Sequence, residues 1–153
     1  MPASDLQSPR LVVGIGASAG GLAAFKAFLA NTPADIGMAF VLVQHLAPDH
    51  KSLLVELLAA KSPLSVVTAT DGLAVKDNCV FVIPPDATLT IKDGVLHLDT
   101  PAPLRAHRRP IDTFLTSLAE DYGECAVGIV LTGVGSDGTI GVRSIKEAGG
   151  RCY

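Results

Sequence analysis

A chain of 153 residues, 48% hydrophobic and 18% charged, is long enough for one domain with a substantial core and too apolar to be disordered as a whole. Its formal net charge of −3 argues against a general nucleic-acid binder. No apolar run reaches the roughly 18 residues of a membrane helix, the opening MPASDLQSPR lacks the basic-then-apolar pattern of a leader, and Cys79, Cys125 and Cys152 share no metal-type spacing, which reads as a soluble protein with free thiols in a reducing cytosol.

Residues 1–9 form a polar lead-in or linker without periodicity. Leu11 to Val13 with Ile15 then lead into glycines at 14, 16, 20 and 21, with Ser18 among them, and Leu22, Phe25, Phe28 and Leu29 follow at helical spacing. This is strand, tight turn, helix, the arrangement that places a reactive group above the carboxyl ends of parallel strands. Three readings of the turn compete. Gly14-Ile-Gly16-Ala-Ser-Ala19 fits the dinucleotide pattern G-x-G-x-x-[G/A], although the acidic residue expected about 20 positions on is replaced by Gln44-His45. Gly16-Ala-Ser18-Ala-Gly20 fits the nucleophile elbow G-x-S-x-G. Ser18 can also be a plain helix N-cap.

Met38 to Val43 reads as a strand covered on both faces and ends in Gln44-His45. Asp49 can cap a helix carrying Leu53, Leu54, Leu57 and Leu58, so the first third is β-α-β-α with parallel neighbours and right-handed crossovers. Leu64 to Thr68 and Cys79 to Ile83 are short strands, and Thr88 to Ile91 and Val95 to Leu98 flank an Asp93-Gly94 hairpin turn. The block from Leu64 to Leu98 is expected to extend the sheet with antiparallel strands. A basic loop, Arg105 to Arg109, runs into a helix with Pro110 at its first position and Ile111, Phe114, Leu115 and Leu118 on its apolar face. Ala126 to Thr132 is a third buried strand, followed by Gly133-Val-Gly135-Ser-Asp137-Gly138 and a last helix with Ile140, Val142, Ile145 and Ala148. The predicted fold is α/β and three-layered: a mainly parallel, doubly wound sheet with an antiparallel hairpin at one edge.

Three apolar strands thus each run into a turn with one polar residue of distinct type, Ser18, His45 and Asp137, and parallel strands bring their carboxyl ends to one sheet edge. A serine hydroxyl becomes a good nucleophile when an imidazole takes its proton, and a carboxylate on the second imidazole nitrogen fixes the tautomer. Backbone N–H groups in the glycine-rich turns can stabilise an oxyanion. Each residue also has a plain structural reading: His45 as a satisfied histidine at a strand end, Asp137 as the N-cap of the helix after it. His97 in the hairpin and His50 at a helix start are poorly placed rivals, and His107 in the basic loop is a better one. The order Ser–His–Asp differs from the Ser–Asp–His of α/β-hydrolases, so the triad is a geometric inference.

At these residues the chain resembles a known family. GIGASAGG, VLVQH, DGLAVKDNCVFVIPPDATL, HRRPID and GIVLTGVGSDGTIG, in that order, resemble the catalytic domain of the chemotaxis receptor methylesterase, CheB, from about Val12 to Gly150. The resemblance implies hydrolysis of glutamyl methyl esters on chemoreceptor signalling helices with release of methanol, together with glutamine deamidation in many members. It implies Ser18 as nucleophile, His45 as base, Asp137 as orienting acid, and backbone N–H groups of Ala19 and Val134 as oxyanion donors. Ala19 and Val134 stand where well-known members carry Thr and Met, changes that leave the backbone donors in place. Arg108 and Arg109 are candidate contacts to acidic receptor surface, with a solvated loop as the alternative.

The resemblance implies no metal or organic cofactor, methylated receptor helices as partners, and neither nucleic-acid binding nor membrane insertion. GASAGGL and HLAPDHKSLL are more similar to CheB domains fused ahead of a CheR-type methyltransferase, which adds such a fused domain as a partner. The family's final strand and Gly-Met-Pro loop have no counterpart before Tyr153, so residues 10–153 are expected to be a methylesterase domain truncated at its C-terminus. Two other functions compete: a non-catalytic signalling module that uses the same cleft, and a nucleotide site at the first turn.

Overall fold

The computed structural model describes residues 10–17, 22–44, 54–60, 62–84, 87–99, 109–131 and 137–153. Among these residues, six parallel strands form the main sheet in the order β3-β5-β2-β1-β8-β9. They are β1 (Leu11–Ala17), β2 (Met38–Gln44), β3 (Ser65–Thr68), β5 (Cys79–Val82), β8 (Ala126–Val130) and β9 (Arg151–Cys152). The helices are α1 (Leu22–Ala30), α2 (Leu54–Ala59), α3 (Pro110–Tyr122) and α4 (Thr139–Glu147). The lead-in at residues 1–9 and the cap at Asp49 lie outside the described residues.

Strand alternation divides the core. Val13, Ile15, Phe40 and Leu42 point to one side of the sheet, where Phe25 and Leu29 of α1 and Leu58 of α2 cover them. Val12, Val41 and Val43 point to the other, under Ile111, Phe114, Leu115 and Leu118 of α3 and Ile145 of α4. Both faces of β1 and β2 are buried, which is why these strands read as nearly continuous apolar runs. The four apolar residues expected on α3 are all at most 1% exposed, and Pro110 occupies its first turn. On α4 the expected face is narrower. Ile140 is 53% exposed, because at about 100° per residue it stands well out of phase with Ile145.

The antiparallel block differs from expectation. β6 (Thr88–Lys92) and β7 (Val95–Asp99) do form the hairpin, with Asp93 and Gly94 at φ 54° and 73° as an Asp-Gly turn requires. Among the described residues, however, the hairpin is not hydrogen-bonded to an edge of the main sheet. It joins β4 (Leu73–Ala74) in a separate three-stranded sheet, while β3 and β5 belong to the parallel sheet. The physical reason is α3, whose side chains engage β6 on the far side of the core: Ile91 N–H donates to Ser117 Oγ at 3.1 Å, and Leu89, Ile91 and Leu96 share the apolar cluster of α3.

Candidate functional site

The order of the strands locates the site. From β1 the chain passes through α1 to β2 on one side, and from β8 it passes through α4 to β9 on the other. The two connections leave in opposite directions and lie on opposite faces, so the topological switch point falls between β1 and β8, and it is at the carboxyl ends of such strands that open α/β sheets bind ligands. Ala17 and Gln44, the last residues of β1 and β2, are register partners, and the next residues in the chain are Ser18 and His45. Leu131 N–H donates to Gly16 O at 2.8 Å, which carries the β8 segment along β1 to the same edge. Ser18, Ala19, His45, Arg108 and Val134 themselves lie outside the described residues, as do His50 and His107. His97 is exposed on β7 of the separate sheet.

Asp137 is described in full, and its environment is specific. It is only 5% exposed. Its Oδ2 accepts from Ile111 N–H at 3.1 Å and its Oδ1 from Asp112 N–H at 2.8 Å, so its carboxylate caps the first turn of α3. The simple expectation that Asp137 caps the helix after it is therefore corrected: α4 has Gly138 at its N-cap and no side-chain cap bond there. That duty falls to Asp112, whose Oδ1 accepts from Gly138 N–H at 2.9 Å and Gly141 N–H at 2.8 Å. Two aspartates thus cap each other's helices, each carboxylate lying at the positive end of a helix dipole.

Sequence reading passed over Asp112. Its signal was local: an acidic residue in the first turn after Pro110. Arg109 stands just before α3, and its guanidinium Nη1 lies 3.3 Å from Asp112 Oδ2, with the arginine side chain 48% exposed. Arg109 is therefore engaged within the α3–α4 junction as well as facing solvent.

The glycines at 14 and 16 have a structural duty that the dinucleotide reading does not anticipate. Both lie inside β1, paired with Val41 and Val43 on one side and Gly128 and Val130 on the other. A Cβ on Gly14 would come within 2.6 Å of Leu115 Cδ2, and one on Gly16 within 2.6 Å of Ile111 Cγ2. They admit α3 against the strand, so the space a pyrophosphate would need beside them is filled by apolar side chains. Among the described residues no group of three or more His, Cys, Asp and Glu could hold a metal ion, and no helix is long and apolar enough to cross a membrane.

Strand order and direction define a doubly wound α/β domain in which β1, β2 and β8 are parallel and bring their carboxyl ends to one sheet edge. Residues 13–153 match the model of the CheB methylesterase family, and the chain belongs to that family. It is 38% identical over 153 residues to a protein-glutamate methylesterase/protein-glutamine glutaminase of Anaeromyxobacter dehalogenans, covering 98% of this chain and 45% of the relative. To a protein of the same description from Desulfitobacterium hafniense it is 31% identical over 147 residues, 93% of this chain and 38% of the relative. The chain thus spans less than half the length of these curated relatives. The crystal structure of the Thermotoga maritima CheB methylesterase catalytic domain superposes with a TM-score of 0.81 at 32% identity, over 93% of this chain and 77% of that one.

Proposed function

We propose that the chain is a protein-glutamate methylesterase domain that acts on methylated chemoreceptor signalling helices through Ser18, His45 and Asp137. The observation that carries this reading is the family match over residues 13–153, which includes all three positions. Ser18 Oγ attacks the glutamyl ester carbonyl while His45 takes its proton, and Asp137 holds the imidazole in the required tautomer. The N–H groups of Ala19 and Val134 stabilise the oxyanion. Collapse of the tetrahedral intermediate breaks the bond to the methoxy group, which leaves as methanol with the proton from His45. Water, deprotonated by His45, then attacks the acyl-serine and releases the glutamate. The same sequence on a glutamine carboxamide releases ammonia, in keeping with the glutaminase activity in the relatives' names. A fused CheR-type methyltransferase is a second proposed partner, and Arg108 and Arg109 are the proposed contacts to acidic receptor surface.

The test is a variant cycle on methanol release from methylated receptor membranes. Ser18→Ala, His45→Ala and Asp137→Ala should each lower kcat by roughly a thousandfold or more, and Ser18→Ala/Asp137→Ala should be no slower than Ser18→Ala, because the three act as a unit. Independent, multiplying losses contradict a triad. Normal folding with no turnover in the native chain favours the signalling module instead.

A further inference from the structure

We infer that Asp112 is a positioning residue for Asp137, holding the turn at 137–138 so that the carboxylate keeps one orientation at the sheet edge; this rests on Asp137 having the role proposed above. The two residues are joined in a closed ring of hydrogen bonds. Asp112 N–H donates to Asp137 Oδ1 at 2.8 Å, and Asp112 Oδ1 takes Gly138 N–H at 2.9 Å, so the residue directly after Asp137 is tied to the residue that binds its side chain. A third bond, Gly141 N–H to Asp112 Oδ1 at 2.8 Å, anchors the ring to the body of α4.

The turn has a particular need of such a tie. Gly138 adopts φ +109°, a left-handed conformation with no side chain of its own to fix it. Asp112 is 5% exposed and fully embedded in this role, and Arg109 Nη1 lies 3.3 Å from its other oxygen, so the carboxylate is steadied from the solvent side. Gly141 is what lets α4 come near enough: a Cβ there would stand 2.6 Å from Leu115 Cβ and 3.3 Å from Asp112 Cα. Without the Asp112 carboxylate, Asp137 keeps its two bonds to α3 and loses the restraint on the backbone that carries it. A misplacement on the order of 1 Å in an orienting group can cost up to a hundredfold in rate.

The experiment measures kcat and KM for methanol release from methylated receptor membranes, with the folded fraction of each variant checked by thermal unfolding. Asp112→Ala should lower kcat about ten- to a hundredfold with KM changed less than about twofold. Asp112→Asn, which keeps one oxygen for the N–H groups of Gly138 and Gly141, should recover most of that loss. Asp112→Glu keeps the charge and lengthens the arm, so it serves if the alanine variant does not fold, and it should be slowed about tenfold as well. A folded Asp112→Ala or Asp112→Glu with unchanged kcat, or a rise in KM alone, overturns the inference while leaving Asp137's role intact. If Asp137→Ala itself retains full activity, the triad reading fails and this inference falls with it.

Discussion

A methyl group added at Gly141 shows how tightly the α3–α4 junction is drawn. In an exposed helix, Gly→Ala stabilises by about 1 kcal/mol. Here the new Cβ would meet Leu115 Cβ at 2.6 Å and Asp112 Cα at 3.3 Å, and overpacking of that kind costs about 1–3 kcal/mol. The clash outweighs the propensity gain, so Gly141→Ala should lower the denaturation midpoint and weaken methanol release together. A variant more stable than the native chain would show that α4 moves freely against α3. At this scale the sequence was half legible. Ser18, His45 and Asp137 stand out as polar residues where apolar strands end, whereas the reach of Asp137 to α3 is invisible locally. Its carboxylate binds N–H groups 25 and 26 residues earlier, and local capping rules consider only the following helix.

Among the elements, α3 does most to organise the fold. Its apolar side presses into β1 at Gly14 and Gly16, its first turn carries the aspartate ring, and its last turns hold the hairpin. Asp121 accepts from Asp93 N–H at 2.7 Å and Gly94 N–H at 3.0 Å, clamping the two turn residues with positive φ. Asp121→Ala should therefore cost about 1–2 kcal/mol in denaturant unfolding, reduced by the solvent exposure of the turn, and leave methanol release unchanged. Loss of activity without loss of stability would contradict the assignment. Periodicity and the Asp-Gly signal sufficed to place the hairpin itself and the register of α3's apolar face. They could not show that Ser65–Thr68 and Cys79–Val82 pair in parallel with the main sheet, since a short β-branched run carries no mark of its partner. The two-residue β4 is too short to leave any pattern.

For the whole molecule, three acidic groups packed against the core on the α3 side shape the response to alkaline pH. Burial pushes the Cys79 thiol up against the pull of Lys76, and the Cys152 thiol up against the pull of Lys146 and the Gly128 backbone hydrogen bond. The Tyr122 hydroxyl is likewise raised, by burial first and then by Asp121, Asp77 and Cys125. For acids whose folded values lie above their unfolded ones, the folded state keeps protons that the unfolded chain has already released. Stability is then fully present below the unfolded values and falls as pH rises from about 8.5 through the thiol and phenol range. Thermal unfolding followed from pH 7 to 11 should stay level to about pH 8.5 and decline beyond it, and a profile flat to pH 11 would contradict the partial burial of these three groups. The global arrangement was the most legible scale of all: β-α-β at the start and strand-turn-helix near the end dictate parallel neighbours and one shared edge. The measurement that tests this account most directly is methanol release from methylated chemoreceptor membranes by the native chain beside Ser18→Ala. Release by the native chain that disappears in the variant is the predicted result; equal release by both, or none from a folded native chain, would contradict it.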